Sequence, residues 1–380
     1  MSSMSLADVQ LEADRKRLGR HPALLRRKWH RMSASPFAFL RGASALWAEA
    51  LRQEPSLLRG IPGTGILVGD LHLENIGTFK TARGVALHVN DFDETFEGPW
   101  SFDMARLLTS TLLARPELNC TGLEVIELAE QLLEGHAQGV AGTSSRLPTP
   151  LTEAVHSAAE KTDEKYLAKR LEAPDRLLRD EKNPPAPASV LPQVKRAVAA
   201  WAEATKQPDP VSLIDITRRV AGTGSLGVER LMALVRVGEV SRLLELKEVR
   251  GSSFAQLEAD AASLLEVLGK VLPRPPLEVA AAALGAIPVL VRPLFACDDK
   301  LAVEDFDRNA LPQTLKAIGV MAGEVHRRGA KTMAKWTAEH RRILMERAAH
   351  LAGLHEQAFV AFCRGVHEHL PPSPIGRGSG

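Results

Sequence analysis

Two acidic segments near the start of the chain carry the residue types that phosphoryl transfer needs. The first is Gly69-Asp70-Leu71-His72-Leu73-Glu74-Asn75 and the second is Asn90-Asp91-Phe92-Asp93. Phosphoryl transfer asks a protein mostly for positioning and charge neutralisation. One carboxylate accepts or orients the nucleophile's proton, and hard oxygens hold magnesium. Magnesium keeps several of its waters, so a sparse carboxylate and amide set suits it. Asp70 fits the first role, as catalytic base, and Asn75 and Asp91 fit the second. Asp93 lies on the same side as Asp91 if the strand stays extended, which makes it a further ligand candidate. Taken singly, each carboxylate reads as a turn or cap residue. Two such segments, each after an apolar run and with Asn75 and Asp91 separated by 16 positions, favour the chemical reading. His72 either contacts phosphate, orients the loop or packs inside it. Asp103, in Gly98-Pro99-Trp100-Ser101-Phe102-Asp103, either caps the next helix or accepts backbone N–H groups of the catalytic loop.

A second cluster lies downstream. Gly222-x-Gly224-x-x-Gly227 alone is a weak signal, because the same spacing opens dinucleotide-binding folds. Those folds place an acidic residue about 20 positions further on for the ribose. Here the position 20 beyond Gly227 is Lys247, within Leu243-Leu244-Glu245-Leu246-Lys247-Glu248. A lysine closing an apolar strand after a glycine flap is what a kinase-like site uses to hold the α- and β-phosphates of ATP. Glycines let the backbone approach phosphate, and Ser225 adds a hydroxyl. The plainer reading of Lys247 is a strand-edge charge paired with Glu245 or Glu248. A partner carboxylate from the following helix would be Glu258 or Glu266, and the longer spacing of Glu266 leaves room for that helix to fold back.

The elements around these residues are mixed. Residues 5–33 suit one amphipathic helix and 42–53 a second, followed by the loop Gly60 to Gly65. Ile66-Leu67-Val68 and Val85-Ala86-Leu87-His88-Val89 are strands that end at Asp70 and Asn90-Asp91. From Phe102 to about 200 the pattern is mainly helical, broken at Asn183-Pro184-Pro185-Ala186-Pro187. Val211–Ile216, a stretch from Leu231 to Val237 and Ser241–Lys247 form an antiparallel meander, although 228–237 also fits a helix. Helices follow at 252–271 and 277–285, a strand at 287–291, and helices at 315–328 and 332–368. Pro371 to Gly380 is a Pro/Gly/Ser tail, predicted to be disordered.

Composition bounds the alternatives. The 380 residues are 45% hydrophobic and 25% charged, the balance of a globular chain with ample core. A net charge of +2 provides no overall field to steer nucleic acid or a membrane surface. Cys120, Cys297 and Cys363 offer neither a zinc spacing nor a disulfide framework. No signal-peptide order and no apolar run of about 18 residues is found. The expectation is a cytoplasmic protein.

Assembled, these residues resemble those of DUF2252, a bacterial family of unknown function in the protein-kinase-like superfamily with the aminoglycoside phosphotransferases. The resemblance rests on Ser35-Pro36-Phe37-Ala38-Phe39-Leu40-Arg41-Gly42, Gly69–Asn75, Asn90–Glu94 with Gly98-Pro99-Trp100, Gly222–Gly227 and Leu246-Lys247-Glu248. Val291-Arg292-Pro293 and Ala322–His326 extend it more weakly. It implies that Asp70 is the catalytic-loop base, that Asn75 and Asp91 bind Mg2+, and that Lys247 binds ATP phosphates. Val68 stands where many such enzymes have a histidine. In an ordinary kinase-like chain the glycine loop and lysine precede the catalytic loop; here they follow it. The expected fold is therefore α+β, two-lobed, kinase-like and circularly permuted, with a small antiparallel-sheet lobe and a large mainly helical lobe. The expected layout is 1–205 large lobe, 206–298 small lobe, 299–370 helices returning to the large lobe, and 371–380 tail. Arg292-Pro293 would lie near the hinge, and the helix ending at His326 would pack under the catalytic loop. The function expected is ATP-dependent phosphotransfer to a small molecule. The alternatives are a nucleotide-binding pseudokinase acting as switch or scaffold, and a protein AMP-transferase. A metallophosphoesterase would need further His and Asn ligands that are not found.

Overall fold

The computed structural model describes residues 4–19, 21–143, 146–220 and 228–369, with side chains to 366. It is a mixed α+β structure with small antiparallel sheets. The N-terminal region forms α1 (Leu6–Leu18), α2 (Pro22–Met32), α3 (Pro36–Leu40) and α4 (Ser44–Gln53). The expected single helix over 5–33 is thus two helices. α1 ends at Gly19, and Pro22 at the start of α2 suits a helix's first turn but not its interior.

Four strands follow: β1 (Thr64–Leu67), β2 (Ile76–Thr81), β3 (Gly84–Val89) and β4 (Phe96–Pro99). β2 and β3 form a tight hairpin, and β1 pairs with β4. α5 (Trp100–Leu113) is buried almost all round, as an apolar helix at a domain centre must be. α6 (Gly122–Ala141), α7 (Thr149–Ala159) and α8 (Asp163–Ala168) lead to a small hairpin, β5 (Leu171–Ala173) and β6 (Arg176–Leu177), and then to α9 (Leu191–Ala204).

Next come β7 (Val211–Arg218), β8 (Arg230–Val237), β9 (Val240–Glu248), α10 (Ala261–Val271), β10 (Ala280–Leu284) and β11 (Ile287–Pro293). These five strands make one antiparallel sheet in the order β10-β11-β9-β8-β7. The meander is as expected, and 228–237 resolves to strand. The expected helix at 277–285 is instead β10. Its alanines pair with β11 across a turn at Gly285, whose φ of +66° suits glycine, so sheet pairing overrides the helical preference of alanine. The helix expected from 252 begins only at Ala261, where the Asp260 side chain caps it. The chain finishes with β12 (Asp299–Lys300), α11 (Leu311–Arg328), β13 (Ala330–Thr332) and α12 (Ala338–His369). β12 joins β2, and β13 joins β1.

Two main cores organise these elements. The larger unites α4, β1–β3, α5, α6, α11 and the first half of α12. Within it α6 and α11 meet backbone to backbone. A Cβ at Gly139 would lie 2.2 Å from the Val320 carbonyl, and one at Gly323 2.2 Å from the His136 carbonyl. The smaller core lies between α9 and one face of the five-stranded sheet, with Trp201, Val198 and Val194 against Leu246, Val291 and Ala233. α9, which precedes the expected boundary at 205, thus packs on the sheet. Hairpin β5–β6 covers part of the sheet's other face through Leu177.

Candidate functional site

The segment Val68–Asn75 connects β1 to β2 and is fixed largely by backbone contacts. Gly69 has φ +86°, and a Cβ there would fall 1.9 Å from the Glu94 carbonyl oxygen, so only glycine fits. The Asp103 carboxylate accepts the backbone N–H groups of Val68 (2.7 Å) and Gly69 (2.9 Å). Of the two readings of Asp103, this is the loop-holding one. His326 of α11 lies 3.1 Å from the same carboxylate and 2.9 Å from His136, so the helix ending at His326 does brace the loop. α5 supplies two further contacts. Arg106 Nε donates to Asp70 Oδ1 at 2.5 Å, and Ser110 Oγ accepts the Leu73 N–H at 3.3 Å. Asp103, Arg106 and Ser110 are spaced i, i+3, i+7, which puts all three on one face of the helix.

The β2–β3 hairpin explains why two segments distant in sequence meet. Asn75 precedes β2 and Asn90 follows β3, and the Asn90 N–H donates to the Asn75 carbonyl at 3.0 Å. The Asn75 side-chain amide donates to the Asp70 carbonyl at 2.5 Å, leaving its oxygen as an acceptor. Burial pushes the Asp70 carboxyl up, against the opposing charge of Arg106. His72 is buried with Nδ1 unpartnered, and burial drives its pKa well down, so it is a neutral group packed in the loop.

Lys247, on β9, reaches this acidic centre. Its ammonium lies 2.5 Å from Asp93 Oδ2 and 3.4 Å from Asp91 Oδ1. Lys300 of β12 lies 3.4 Å from Asp91 Oδ2. Burial raises Asp91, but Lys247, Lys300 and Arg230 outweigh it and hold the carboxyl below its ordinary range. Asp93 moves the other way, because burial outweighs Lys247. The two carboxylates raise Lys247 despite its own burial. Glu266 is exposed on α10 and is not among the ion pairs of Lys247, so the structure does not bring the expected partner to it. Gly222, Gly224, Ser225 and Gly227 lie outside the described residues.

The donors present suit a hard divalent ion. Asp91, Asp93 and the Asn75 oxygen are oxygen ligands of the kind that, with waters and phosphate, complete a magnesium shell. Among the described residues, no group of three or more His, Cys, Asp or Glu is placed to hold a metal without such help. Ammonium groups balance the carboxylates instead.

Arg106 and Lys300 have no role in the sequence reading, and Arg41 appears there only within a motif. Arg106 and Asp103 are the only charged residues of α5, and a polar stripe in so apolar a helix is a legible signal. Lys300 sits on a two-residue strand with no pattern of its own. Arg41 pairs with Glu74, and the Leu40 carbonyl accepts from Arg106 Nη2, so the Ser35–Gly42 motif braces the Val68–Asn75 loop.

A family described as an uncharacterized protein conserved in bacteria (DUF2252) matches residues 20–268. The chain belongs to this family. No curated protein and no solved structure matches it. The DUF2252 match covers the β2–β3 hairpin, α5 and the sheet through β9, and so includes Asp70, Asn75, Asp91, Asp103 and Lys247. It stops before Lys300 and His326, which in this DUF2252 member complete the charge balance and the loop support.

Proposed function

We propose that this protein is an ATP- and magnesium-dependent phosphotransferase of circularly permuted, kinase-like fold, acting on a small molecule. The observation that carries this reading is the contact of Lys247 with Asp91 and Asp93. A lysine on the third strand of a five-stranded antiparallel sheet faces the acidic segment that follows the catalytic hairpin. A kinase-like site needs this combination of a phosphate-binding lysine, metal-holding Asp and Asn, and a carboxylate on the preceding loop. The strand sequence agrees with it. The glycine segment lies between the sheet's first and second strands in the chain, and α10 between its third and fourth. The larger core draws on residues before and after the sheet, which is the chain order that permutation produces.

In this reading Asp70 orients the acceptor hydroxyl and takes its proton. Asn75, Asp91 and Asp93 would hold magnesium, which neutralises phosphate charge when bound. Lys247 would turn from the carboxylates to the α- and β-phosphates. A cavity of about 230 Å3 between α7 and β12, lined by Lys300, Lys161, Ser157 and Phe306, is the acceptor pocket that the reading offers.

One observation favours a second reading. Asp70 is engaged by the fully buried Arg106, an unusual partner for a free base, and a nucleotide-binding switch or scaffold would keep the ATP site without turnover. Transfer of AMP uses the same ligands, and product mass tells an added phosphate from an added AMP. The test is a thermal shift with ATP and magnesium. A ligand at 100 times its dissociation constant stabilises by about 2.7 kcal/mol. Wild type should shift, and Lys247→Ala and Asp91→Ala should not. No shift in wild type with any divalent metal would overturn the nucleotide site.

A further inference from the structure

The face of the sheet turned away from α9 carries an arrangement that sheet physics disfavours. In the β8–β9 register Arg230 stands directly opposite Lys247, two cations on one face. Like charges in that position destabilise a sheet. Asp93 and Asp91 balance Lys247, and the carboxylate within ion-pair range of Arg230 is Glu245, two residues before Lys247 and only 1% exposed. Its oxygens are already taken by other arginines. Oε1 accepts from Arg219 Nη1 at 2.6 Å, and Oε2 accepts from Arg292 Nη2 at 3.0 Å and Nε at 3.2 Å.

Arg230 is left 3.6 Å from Glu245 Oε1, beyond hydrogen-bond reach. Its Nε is buried without a hydrogen-bond partner, and the side chain is 12% exposed. A guanidinium half-released from its carboxylate, beside a second cation and facing Asp91 and Asp93, suits an incoming anion. A guanidinium and an ammonium side by side can share the oxygens of one phosphate or span two phosphates of a chain, and an arginine fork binds phosphate oxygens in pairs.

We propose that Arg230 is a second phosphate ligand, forming with Lys247 a two-cation cradle for the polyphosphate tail of a nucleoside triphosphate. This rests on the nucleotide reading above and adds to it a residue that reads the phosphates and not the base. Losing one or two charge-assisted bonds should weaken Mg-ATP binding about tenfold or more.

The experiment is calorimetric titration of wild type, Arg230→Gln and Arg230→Lys with Mg-ATP, adenosine and inorganic triphosphate. The melting temperature of each variant without ligand is recorded alongside. Expected are a large loss for Mg-ATP and triphosphate in Arg230→Gln, a smaller one in Arg230→Lys, and unchanged adenosine binding. The ligand-free melting temperature of Arg230→Gln gives the cost of losing its attraction to Glu245, so that a loss of phosphate binding is read apart from a loss of fold. Equal Mg-ATP affinity in wild type and Arg230→Gln overturns the proposal. An equal loss for adenosine overturns it too, by giving Arg230 a purely structural role. If wild type binds no Mg-ATP, the nucleotide reading fails separately. Triphosphate bound by wild type and lost in Arg230→Gln would then still uphold the cradle, and triphosphate bound by neither would end it.

Discussion

On one side of the candidate site, Asp70, Asn75 and Asp91 are positioned by backbone. A glycine with no room for a side chain, two N–H groups accepted by Asp103, and a two-stranded hairpin set their places. On the other side, Lys247 and Arg230 project from a regular sheet and are held only by charge. Backbone positioning is rigid and survives changes of charge state. Ion pairs between half-buried side chains yield to a competing ion. The hairpin side keeps its shape by backbone contacts, and the sheet side is held by ion pairs.

Substitutions on the hairpin side should therefore cost the most stability. Asp103→Ala strands two buried N–H groups and removes the partner of His326, a loss of about 3 kcal/mol or more in chemical denaturation. Asp103→Asn should recover part of that loss by accepting one of the two bonds. Gly69→Ala combines the left-handed φ with a collision against the Glu94 carbonyl, and should cost about 2 kcal/mol. It should abolish any transfer activity even where the protein stays folded, because Asp70 is displaced.

Substitutions on the sheet side should show as changes in ligand response. Lys247→Met removes the ammonium that balances Asp91 and Asp93, at a cost of about 1 kcal/mol near neutral pH. Added magnesium should return stability to this variant more than to wild type, as read by the shift in melting temperature. The sign with pH follows from Asp91. Its carboxyl is held below its ordinary range in the folded protein, so its stabilising contribution is present above that range and fades as pH falls. Lys247→Met should thus differ least from wild type in acid.

Between the two sides lies Glu94, whose carboxylate accepts from the Ser253 N–H at 2.5 Å and hydroxyl at 2.9 Å. Burial raises it from 4.5 to about 7. A carboxyl raised on folding favours the folded state fully below its ordinary value, and that contribution is lost as pH rises through the folded value. Wild type should therefore lose stability as pH climbs from 4.5 to 7, and Glu94→Gln should flatten that slope.

The sequence disclosed these two sides unequally. Gly69-Asp70 and Asn90-Asp91 were legible because each follows a short apolar strand, Asn75 because it lies in the same loop as Asp70, and the hairpin that joins them depends on local order alone. Lys247 was legible from its strand. The charge network around it was not, because Arg230, Glu245, Arg292 and Lys300 converge only through sheet register and a two-residue strand. Ala280–Leu284 misled for a related reason: alanines signal helix, and only the partner strand makes them a strand. Glu266 was chosen by spacing, and where α10 begins turns it to solvent.

The claim that joins the two sides is that Lys247 leaves the carboxylates for a nucleotide. A crystal structure with magnesium and a non-hydrolysable ATP analogue measures this directly, through the Lys247 Nζ to Asp93 Oδ2 separation, now 2.5 Å. The account predicts a metal on Asp91 and phosphates against Lys247, with that separation opened beyond hydrogen-bond reach. A nucleotide bound elsewhere, or a Lys247–Asp93 contact unchanged beside bound phosphates, would contradict it.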